Sequence, residues 1–275
     1  MSIITITRGS YTRGKQVAER VAERLGYGCL SREILLETSE EFNIPEIKRL
    51  MTTKKGPSFL DRMTFAREKY LSYIQLNMLK IFQTDNVVHH GVAGHFFVKD
   101  IEHAVKVLIT ADIEDRIRIV MERDRSSRKD AILYLKKLDE PIIKWAQYVY
   151  KVHPFDSNLY DLAIHIKKIT VDDAVDMVCR AVESKQFQTT PESQETVDDL
   201  LLAAEVKHAL IGLDPHAEVS ARGSVVTVKS VLEAHSAKSQ NAKDKLENQI
   251  DRTAREIPGV SEVNIDISLY PMGII

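Results

Sequence analysis

The stretch IITITRGSYTRGKQVAERVAERLG, from Ile3 to Gly26, combines a strand pattern, a turn with two glycines and a helix pattern. The β-branched run at its start is typical of a buried strand, and apolar residues then recur on one face of a helix closed by a final glycine. Between them, Gly9, Gly14 and Lys15 match the phosphate-binding pattern G-x-x-x-x-G-K, but Gln16 stands where that pattern has Ser or Thr. The stretch predicts an α/β domain with a phosphate-binding turn after its first strand.

The chemistry of such a turn depends on its backbone. Glycines let backbone N–H groups approach phosphate oxygens, and the N-terminus of the following helix adds partial positive charge. Lys15 is then expected to reach the β- and γ-phosphates. The alternative is an ordinary strand-to-helix turn with a solvent-exposed lysine.

The composition describes a globular protein. The chain has 275 residues, of which 44% are hydrophobic and 28% charged. No apolar run approaches the ~18 residues of a membrane span, and no leader pattern precedes the first strand. Cys29 and Cys179 lack metal-ligand spacing, so we expect small core residues in a cytoplasmic protein.

The net charge of −2 hides a difference between two parts of the chain. Residues 1–190 contain 30 Lys+Arg against 26 Asp+Glu, whereas residues 191–275 contain 8 against 14. The change falls in SKQFQTTPESQETVDD, from Ser184 to Asp199, which has the composition of a linker. The expected division is a first domain over residues 1–185, a linker over residues 186–196 and a second domain over residues 197–275. The basic excess of the first domain suits an anionic ligand, although ordinary surface charge explains it equally well.

Strand and helix patterns alternate through the first domain. Short β-branched or apolar runs predict strands at Ile3 to Thr7, Asn86 to His89, Val105 to Thr110 and Leu162 to Ile166. Helix patterns cover Phe59 to Phe82, Ile113 to Glu122, Ala131 to Tyr150 and Val171 to Val182. This alternation predicts an α/β fold in which a parallel sheet has helices on both faces.

With these elements in order, ITITRGSYTRGKQVAERVAERLGYGCLSREIL resembles the start of the cytidylate kinase-like family of P-loop nucleoside monophosphate kinases. VKVLITADIEDRIRIVMERD and LYDLAIHIKKITVDDAVDMV resemble later elements of that family, and the likeness spans roughly residues 1 to 185. The resemblance implies a P-loop kinase sheet that binds ATP with Mg²⁺ through the loop. It also implies a segment at about Ser31 to Tyr70 that closes over the nucleoside monophosphate, and a basic lid at about Arg123 to Lys137. Phosphoryl transfer in such enzymes rests on positioning and on cationic groups.

The resemblance also implies roles for individual residues. The expected contacts to the phosphates of ATP come from Gly9, Ser10, Tyr11, Thr12, Arg13, Gly14, Lys15 and Gln16. The expected catalytic residues are Lys15, Arg123 and Arg128, with Arg116, Arg118 and Arg125 as further cations near the lid. The expected substrate contacts are Ser31, Arg32, His90 and Gly91, and no metal ligand is predicted. Each lid arginine is equally consistent with a solvated helix face.

Several positions depart from the family pattern. Gln16 replaces the hydroxyl that ligates Mg²⁺, so the metal is expected to rest on phosphate oxygens and water. Tyr11 and Arg13 stand where relatives often have glycine, which predicts a stiffer loop. Val92 replaces an arginine that contacts the substrate phosphate, and Leu138-Asp139-Glu140-Pro141-Ile142 lacks another expected arginine. Because each missing anion contact lowers the rate, we expect slow turnover or none.

Four histidines follow one another near the end of the third predicted strand: His89, His90, His95 and His103. The carboxyl ends of parallel strands line the ligand crevice in such sheets. Three interpretations remain open: a structural imidazole, a phosphate contact from His90 or His95 in place of the missing arginine, or a metal site. The metal site is the weakest, since no carboxylate or cysteine accompanies the histidines at ligand spacing.

The second domain follows a different pattern. It predicts a helix at Val197 to Ile211, strands at Ala217 to Ala221 and Ser224 to Ser230, a polar helix at Ser239 to Glu256 and a last strand within Gly259 to Ser268. This order predicts a small α+β domain. The turn at Gly223 and the closing Gly259-Val260-Ser261-Glu262-Val263 resemble a BON domain, a family associated with binding surfaces, membranes or small ligands. Its negative charge argues against anionic lipid and nucleic acid, which favours a regulatory or interaction module.

The expected function is ATP-dependent phosphorylation of a nucleoside monophosphate, with CMP or dCMP as the first acceptor that the resemblance suggests. The alternative is a nucleotide-sensing regulator that binds ATP or a related ligand without catalysis and signals through the BON-like domain. The expected partners are the nucleoside monophosphate and a small ligand or protein at that domain. Nucleic-acid binding is disfavoured, since the basic residues are not clustered with aromatic ones.

Overall fold

The computed structural model of the chain describes residues 2–31, 66–91, 94–234 and 239–271. Two compact units are present: unit 1 is Met1–Arg62 with Thr84–Ser193, and unit 2 is Met63–Gln83 with Gln194–Ile275. Most of the expected substrate segment, including Arg32, lies outside the described residues, and so does Val92.

The elements alternate along the chain. The described strands are β1 (Ile3–Arg8), β2 (Gly28–Ser31), β3 (Val87–Gly91), β4 (Ala104–Ala111), β5 (Leu162–Ile166), β6 (Glu218–Arg222), β7 (Val225–Ala234) and β8 (Glu262–Pro271). The described helices are α1 (Gly14–Leu25), α2 (Ala66–Gln83), α3 (Gly94–Phe97), α4 (Ile113–Asp124), α5 (Arg128–Tyr150), α6 (Val171–Val182), α7 (Pro191–Leu210) and α8 (Ser239–Arg255). Short 3-10 turns cover Ser157–Leu159 and Lys185–Phe187.

Unit 1 is built on a five-stranded parallel sheet in the order β2-β3-β1-β4-β5. Ile4 and Ile6 of the central strand β1 pack with the apolar faces of α1 and α6. Thr5 and Thr7 alternate to the opposite face, where they lie beside residues of α3. The parallel sheet with flanking helices predicted from the sequence is confirmed.

The strand order places a crevice at one end of β1. β1 pairs with β3 on one side and with β4 on the other. After β1 the chain runs to β2, beyond β3, and only after β3 does it cross to β4 on the opposite side. Open α/β sheets bind ligands at the carboxyl ends of the strands where the order reverses in this way. The turn that begins at Gly9 occupies that end of β1.

Several elements differ from their predicted bounds at the ends. β3 begins at Val87 because Asn86 still has a left-handed backbone (φ 51°). α5 begins one turn before the predicted Ala131, since the Ser127 side chain caps it by accepting a bond from the Asp130 N–H. β7 and β8 each extend to 10 residues because they pair with each other in parallel along their whole length.

Unit 2 has the order α7-β6-β7-α8-β8 and also contains α2. β6 and β7 form an antiparallel hairpin. Leu210 of α7 and Ile250 of α8 pack with Val226 and Val228 of β7 in one apolar core. This is the helix and strand order predicted for the second domain.

Helix α2 contacts α7 through side chains that are far apart in the sequence. Gln83 Nε2 donates to the Asp198 carboxylate at 2.8 Å, and Ser72 Oγ lies 3.1 Å from His208 Nδ1. The sequence pattern assigned this helix to the first domain, because a helix shows its own apolar face and not the partner that covers it.

The stretch predicted as a linker, residues 186–196, has regular structure. Phe187 packs against the apolar core of unit 1, and Pro191 begins α7. Ser193 Oγ accepts from the Thr190 N–H at 2.9 Å, and Thr190 Oγ1 accepts from the Ser193 N–H at 3.1 Å. Proline suits a first helical position because it lacks only an N–H that the helix does not use. Along the chain, the last segment of unit 1 ends at Ser193 and that of unit 2 begins at Gln194. The three-part domain division stays a prediction.

Candidate functional site

The turn between β1 and α1 has a strained backbone. Tyr11 and Arg13 have φ values of 57° and 62°, in the left-handed region that favours glycine. Arg13 precedes α1 as its N-cap residue, and its side chain makes no capping bond. The two positions where relatives often have glycine are therefore the two that need a glycine-like conformation here.

Gly14 lets α1 start directly against the sheet. A Cβ at this position would lie 2.6 Å from Arg8 Cβ and 3.3 Å from Ile109 Cβ, so a side chain would push the helix away from β1 and β4. The first N–H groups of an α-helix have no partner within the helix. With the helix dipole they favour an anion at this end.

Lys15 lies on the first turn of α1 with an exposed side chain. Its Nζ is 3.6 Å from the Glu19 carboxylate, one turn further along. Exposed pairs of this kind are weak, because water and salt screen both charges. The ammonium group is therefore free to exchange Glu19 for a phosphate.

Two charged side chains hold the backbone of Ser10. Its N–H donates to Asp139 Oδ1 at 3.3 Å, and its carbonyl oxygen accepts from Arg116 Nε at 2.7 Å. Arg116 also donates to Asp139 Oδ2 at 2.5 Å. The loop is in this way joined to both α4, which carries Arg116, and α5, which carries Asp139.

Tyr11 extends from the loop onto the helical hairpin formed by α4 and α5. There it packs against an apolar cluster of Ile117, Val120, Ala131 and Leu135. The Arg123 guanidinium donates to Tyr11 Oη. It lies 4.9 Å from the centre of the Tyr11 ring and 5.2 Å from that of Tyr134, in the range of a cation–π contact. Arg123 is thus held against the loop.

Two of the lid arginines, Arg123 and Arg128, are paired with carboxylates. Arg123 Nε donates to Asp124 at 2.6 Å, and Arg128 donates two bonds to Glu114 at 2.6 and 2.8 Å. The guanidinium groups lower the pKa of Asp124 and of Glu114, because they stabilise the ionised carboxylates. The structure brings Arg123 to the loop, but it joins Arg128 to Glu114.

Two of the four histidines lie near the end of β1. Arg8 donates from Nε to His90 Nδ1 at 3.4 Å. His95 Nδ1 lies 3.1 Å from Thr7 Oγ1 and 3.3 Å from Tyr160 Oη. Burial lowers the pKa of His95 to about 4, so its imidazole is neutral at pH 7. A buried neutral ring bonded to neighbouring side chains fits the structural interpretation for His95.

His103 does not belong to this group, and the prediction that it lies at the end of the third strand was wrong. Its carbonyl oxygen accepts from the Ile3 N–H at 3.2 Å, at the amino end of β1, and its Nδ1 lies 2.8 Å from Ser193 Oγ. The chain must return to the amino edge of a parallel sheet before the next strand begins, and β4 begins at Ala104.

The predicted substrate contacts lie on the strands beside the loop. Ser31 ends β2 in register with His90, and Gly91 ends β3 in register with Thr7. Together with the loop they line the carboxyl edge of the sheet. Arg32 lies outside the described residues.

The sequence did not reveal three partners of the site: Glu114, Tyr134 and Asp139. Their neighbours in the sequence are ordinary helix residues. The hydrophobic periodicity predicted the two helices that carry these residues, and periodicity does not say which polar residue meets the loop.

Among the residues that the structure describes, no group of three or more His, Cys, Asp or Glu side chains could hold a metal ion. Gln16, in place of the usual hydroxyl, is exposed.

The described helices were also compared with the dimensions of a bilayer. None of them is long and apolar enough to cross a membrane.

Comparisons with known proteins agree with this architecture. A model described as the cytidylate kinase-like family matches residues 3–168. A crystal structure of an uncharacterized protein from Eubacterium ventriosum is 22% identical and covers 67% of this chain and 100% of its own, with a TM-score of 0.53. A shikimate kinase from Bacteroides thetaiotaomicron is 14% identical and covers 66% of this chain and 99% of its own, but its TM-score of 0.39 supports no argument. No protein of curated function matches the chain.

The parallel sheet, its flanking helices and the turn after β1 agree with the kinase-like family of the matching model, and the Eubacterium structure shares the fold. Since the matching family model covers more than half of the sequence, the chain belongs to the cytidylate kinase-like family. This part of the resemblance is confirmed. The likeness of residues 197–275 to a BON domain stays a prediction.

Proposed function

We propose that this protein transfers the γ-phosphoryl group of ATP to a nucleoside monophosphate at a low rate, with CMP or dCMP as the first acceptors to test. The observation that carries the proposal is the turn from Gly9 to Gln16 at the carboxyl end of the central strand β1. Membership of a kinase-like family supports a phosphotransferase.

ATP supplies the phosphoryl group, and the residues of the chain bind and orient it. The N–H groups at the start of α1 and the Lys15 ammonium group hold its phosphates in this proposal. Arg123 contacts the loop through Tyr11 and is the lid cation assigned to the transferring group. Arg128 takes part once it leaves Glu114, and the exposure of both side chains makes that exchange easy.

The low rate follows from what the chain lacks. Gln16 offers no hydroxyl at the loop position that usually ligates Mg²⁺, so the metal would rest on phosphate oxygens and water. Val92 stands where a substrate-binding arginine is expected. Each missing contact to developing charge removes stabilisation of the transition state.

The second candidate is a nucleotide sensor without catalysis. It is favoured by the pairing of three lid cations with carboxylates: Arg116 with Asp139, Arg123 with Asp124 and Arg128 with Glu114. Cations neutralised in this way stabilise transferred charge poorly, yet the loop can still bind phosphates. In this proposal the BON-like domain, supported by the element order α7-β6-β7-α8-β8, binds a small ligand or a protein partner.

A panel assay tests the proposal. The full chain is incubated with ATP, Mg²⁺ and each nucleoside monophosphate in turn, and ADP formation is measured. We expect slow ADP formation that depends on CMP or dCMP, that is lost in Lys15→Ala and that is kept in Lys245→Ala, an exposed lysine of unit 2. ATP binding without acceptor-dependent ADP formation supports the sensor instead.

Restoring the family pattern separates a weakened kinase from a sensor. Gln16→Thr combined with Val92→Arg should raise the rate more than either change alone, because both act on the same transferring group. A double variant that binds ATP but stays inactive contradicts the kinase proposal. An unmodified chain that turns over CMP at ordinary kinase rates of ~1–100 per second contradicts the low rate.

A further inference from the structure

The contacts around Ser10 fix two consecutive peptide groups of the loop. The Ser10 N–H belongs to the peptide group shared with Gly9, and it donates to Asp139. The Ser10 carbonyl belongs to the peptide group shared with Tyr11, and it accepts from Arg116. Since the orientation of that second peptide group sets the φ angle of Tyr11, Arg116 acts on the residue with left-handed backbone (φ 57°).

The two side chains also hold each other. Arg116 and Asp139 form a 2.5 Å ion pair with only 12% and 20% of their side chains exposed. Little water competes for these groups, so the pair is better ordered than the exposed pairs of the lid. Removing one member leaves the other as a poorly solvated charge.

We propose that Arg116 and Asp139 are positioning residues that bracket the Ser10 backbone, hold the phosphate loop in its strained conformation and couple it to the α4–α5 hairpin. The inference rests on the proposed binding of nucleotide phosphates by this loop. It gives Arg116 a different role from the other lid arginines: its guanidinium is committed to the loop backbone and to Asp139. Because the pair is neutral as a whole, it shapes the loop without adding net charge beside the phosphates.

The Arg116–Asp139 pair and Tyr11 together connect the loop to the α4–α5 hairpin. Asp139 lies on α5, and the Tyr11 side chain packs against the same hairpin. A movement of the hairpin therefore changes the backbone of Ser10 and Tyr11 at the same time, and a ligand that fixes the loop in turn fixes the hairpin.

A double-mutant cycle tests the bracket, that is, the Arg116–Asp139 pair with its bonds to the Ser10 backbone. Inorganic tripolyphosphate is the probe, and its affinity for the full chain is measured by calorimetry for Arg116→Gln, Asp139→Asn and the double variant. Asp139→Asn replaces the charged acceptor of the Ser10 N–H by a neutral one and leaves Arg116 as an unpaired cation near the anion; we expect the loosened loop to outweigh the added positive charge, so that binding weakens by about threefold. Arg116→Gln should weaken it more, since Asp139 then remains as an unpaired carboxylate near the anion. The double variant should bind better than the product of the two single effects predicts, because two neutral amides can bond to each other.

Two other charged residues provide matched controls. Glu140→Gln removes the adjacent carboxylate, which pairs only loosely with Lys136 and Lys144 at 3.8 and 3.7 Å. Arg24→Gln removes an exposed arginine that pairs with Asp176 in the last turn of α1, at the end of the helix away from the loop. Both controls should bind tripolyphosphate within about twofold of the unmodified chain, as expected for exposed pairs.

Amide hydrogen exchange without any ligand separates this inference from the proposed function. Exchange of the Ser10 N–H should be faster in both single variants. If the pair contributed only to stability, the variants would lower the thermal midpoint of unfolding, but the affinity for tripolyphosphate measured well below that temperature would not change. Single variants that bind tripolyphosphate as tightly as the unmodified chain, or more tightly, overturn the positioning role. An unmodified chain that binds no tripolyphosphate contradicts the proposed function. The exchange rate of the Ser10 N–H then still tests the positioning role of Arg116 and Asp139: a faster rate in the variants supports it, and an unchanged rate overturns it.

Discussion

The loop after β1 in unit 1 and the turn after β6 in unit 2 need the same backbone conformation but obtain it from different residues. Tyr11 in the loop and Gly223 in the turn both have a φ of 57°. A side chain in this region costs roughly 1–2 kcal/mol, whereas glycine adopts it freely. The loop is therefore strained at Tyr11, and again at Arg13, while the turn is not.

The surroundings explain how the strain persists. Tyr11 packs on the α4–α5 hairpin, and the preceding residue is held on both sides. At Gly223 the N–H donates to the Asp199 carboxylate at 2.7 Å, and an added Cβ would meet no described atom within 4 Å outside its chain neighbours. Strain that surrounding contacts maintain is a feature of functional segments. The strained loop of unit 1 therefore fits a functional segment better than the turn of unit 2 does.

The largest expected effect is on the pH dependence of the free energy of unfolding, for which each unit offers one histidine to compare. His95 in unit 1 has a pKa lowered by burial to about 4, whereas the unfolded chain binds this proton near pH 6.5. The stability that neutral His95 contributes is therefore complete above pH 6.5 and is lost as the pH falls toward 4. Over this window the free energy of unfolding should fall by about 3 kcal/mol from this group alone.

Urea unfolding of the unmodified chain and of His95→Asn between pH 7.5 and about 4 measures this contribution. The variant should lose stability at neutral pH, because it lacks ring volume, but it should depend less on pH. His208→Asn in unit 2 provides the comparison with a second histidine, because burial also lowers the pKa of this half-buried residue. Equal pH dependence in the unmodified chain and in His95→Asn would show that His95 titrates normally.

The next effect concerns ligand binding in unit 1. ATP at a hundredfold excess over its dissociation constant should stabilise the folded protein by about 2.7 kcal/mol. Lys15→Ala should remove most of this gain and leave the protein without ligand folded, while Lys245→Ala keeps it. The only tryptophan, Trp145, belongs to unit 1, so its fluorescence follows this unit during melting. Equal ATP-induced shifts in Lys15→Ala and in the unmodified chain would refute the role of Lys15.

The smallest effect tests the backbone comparison itself. Gly223→Ala should lower the free energy of unfolding by about 1 kcal/mol, because alanine must adopt the left-handed region. Arg13→Gly should raise it by about 0.5 kcal/mol, since the relief of strain exceeds the added entropy of the unfolded chain. Chemical denaturation of the two variants measures both changes. If both substitutions destabilise the protein equally, the loop is not strained and the comparison fails.

Much of unit 1 could be predicted because its signals are local. The β-branched run at Ile3, the glycines of the turn and the apolar face of α1 lie within one strand–turn–helix unit, and each acts on its own neighbours. The same holds for β5 and α6, whose bounds agree with the prediction. At Tyr11 and Arg13 the sequence predicted only a stiffer loop, and their positive φ values came from the structure.

Other features were decided by tertiary structure. The Ser10–Asp139 bond joins residues 129 apart in sequence, and it exists because α4 and α5 fold back over the loop. His95 and His103 are close in sequence, yet the return of the chain to the amino edge of the parallel sheet places them at opposite ends of β1. Helix α2 shows an apolar face, but only its contacts with α7 assign it to unit 2. Local patterns determine which elements form, because propensity and periodicity act over a few residues. Which polar groups come into contact depends on the packing between elements, and the order of residues along the chain does not display that packing.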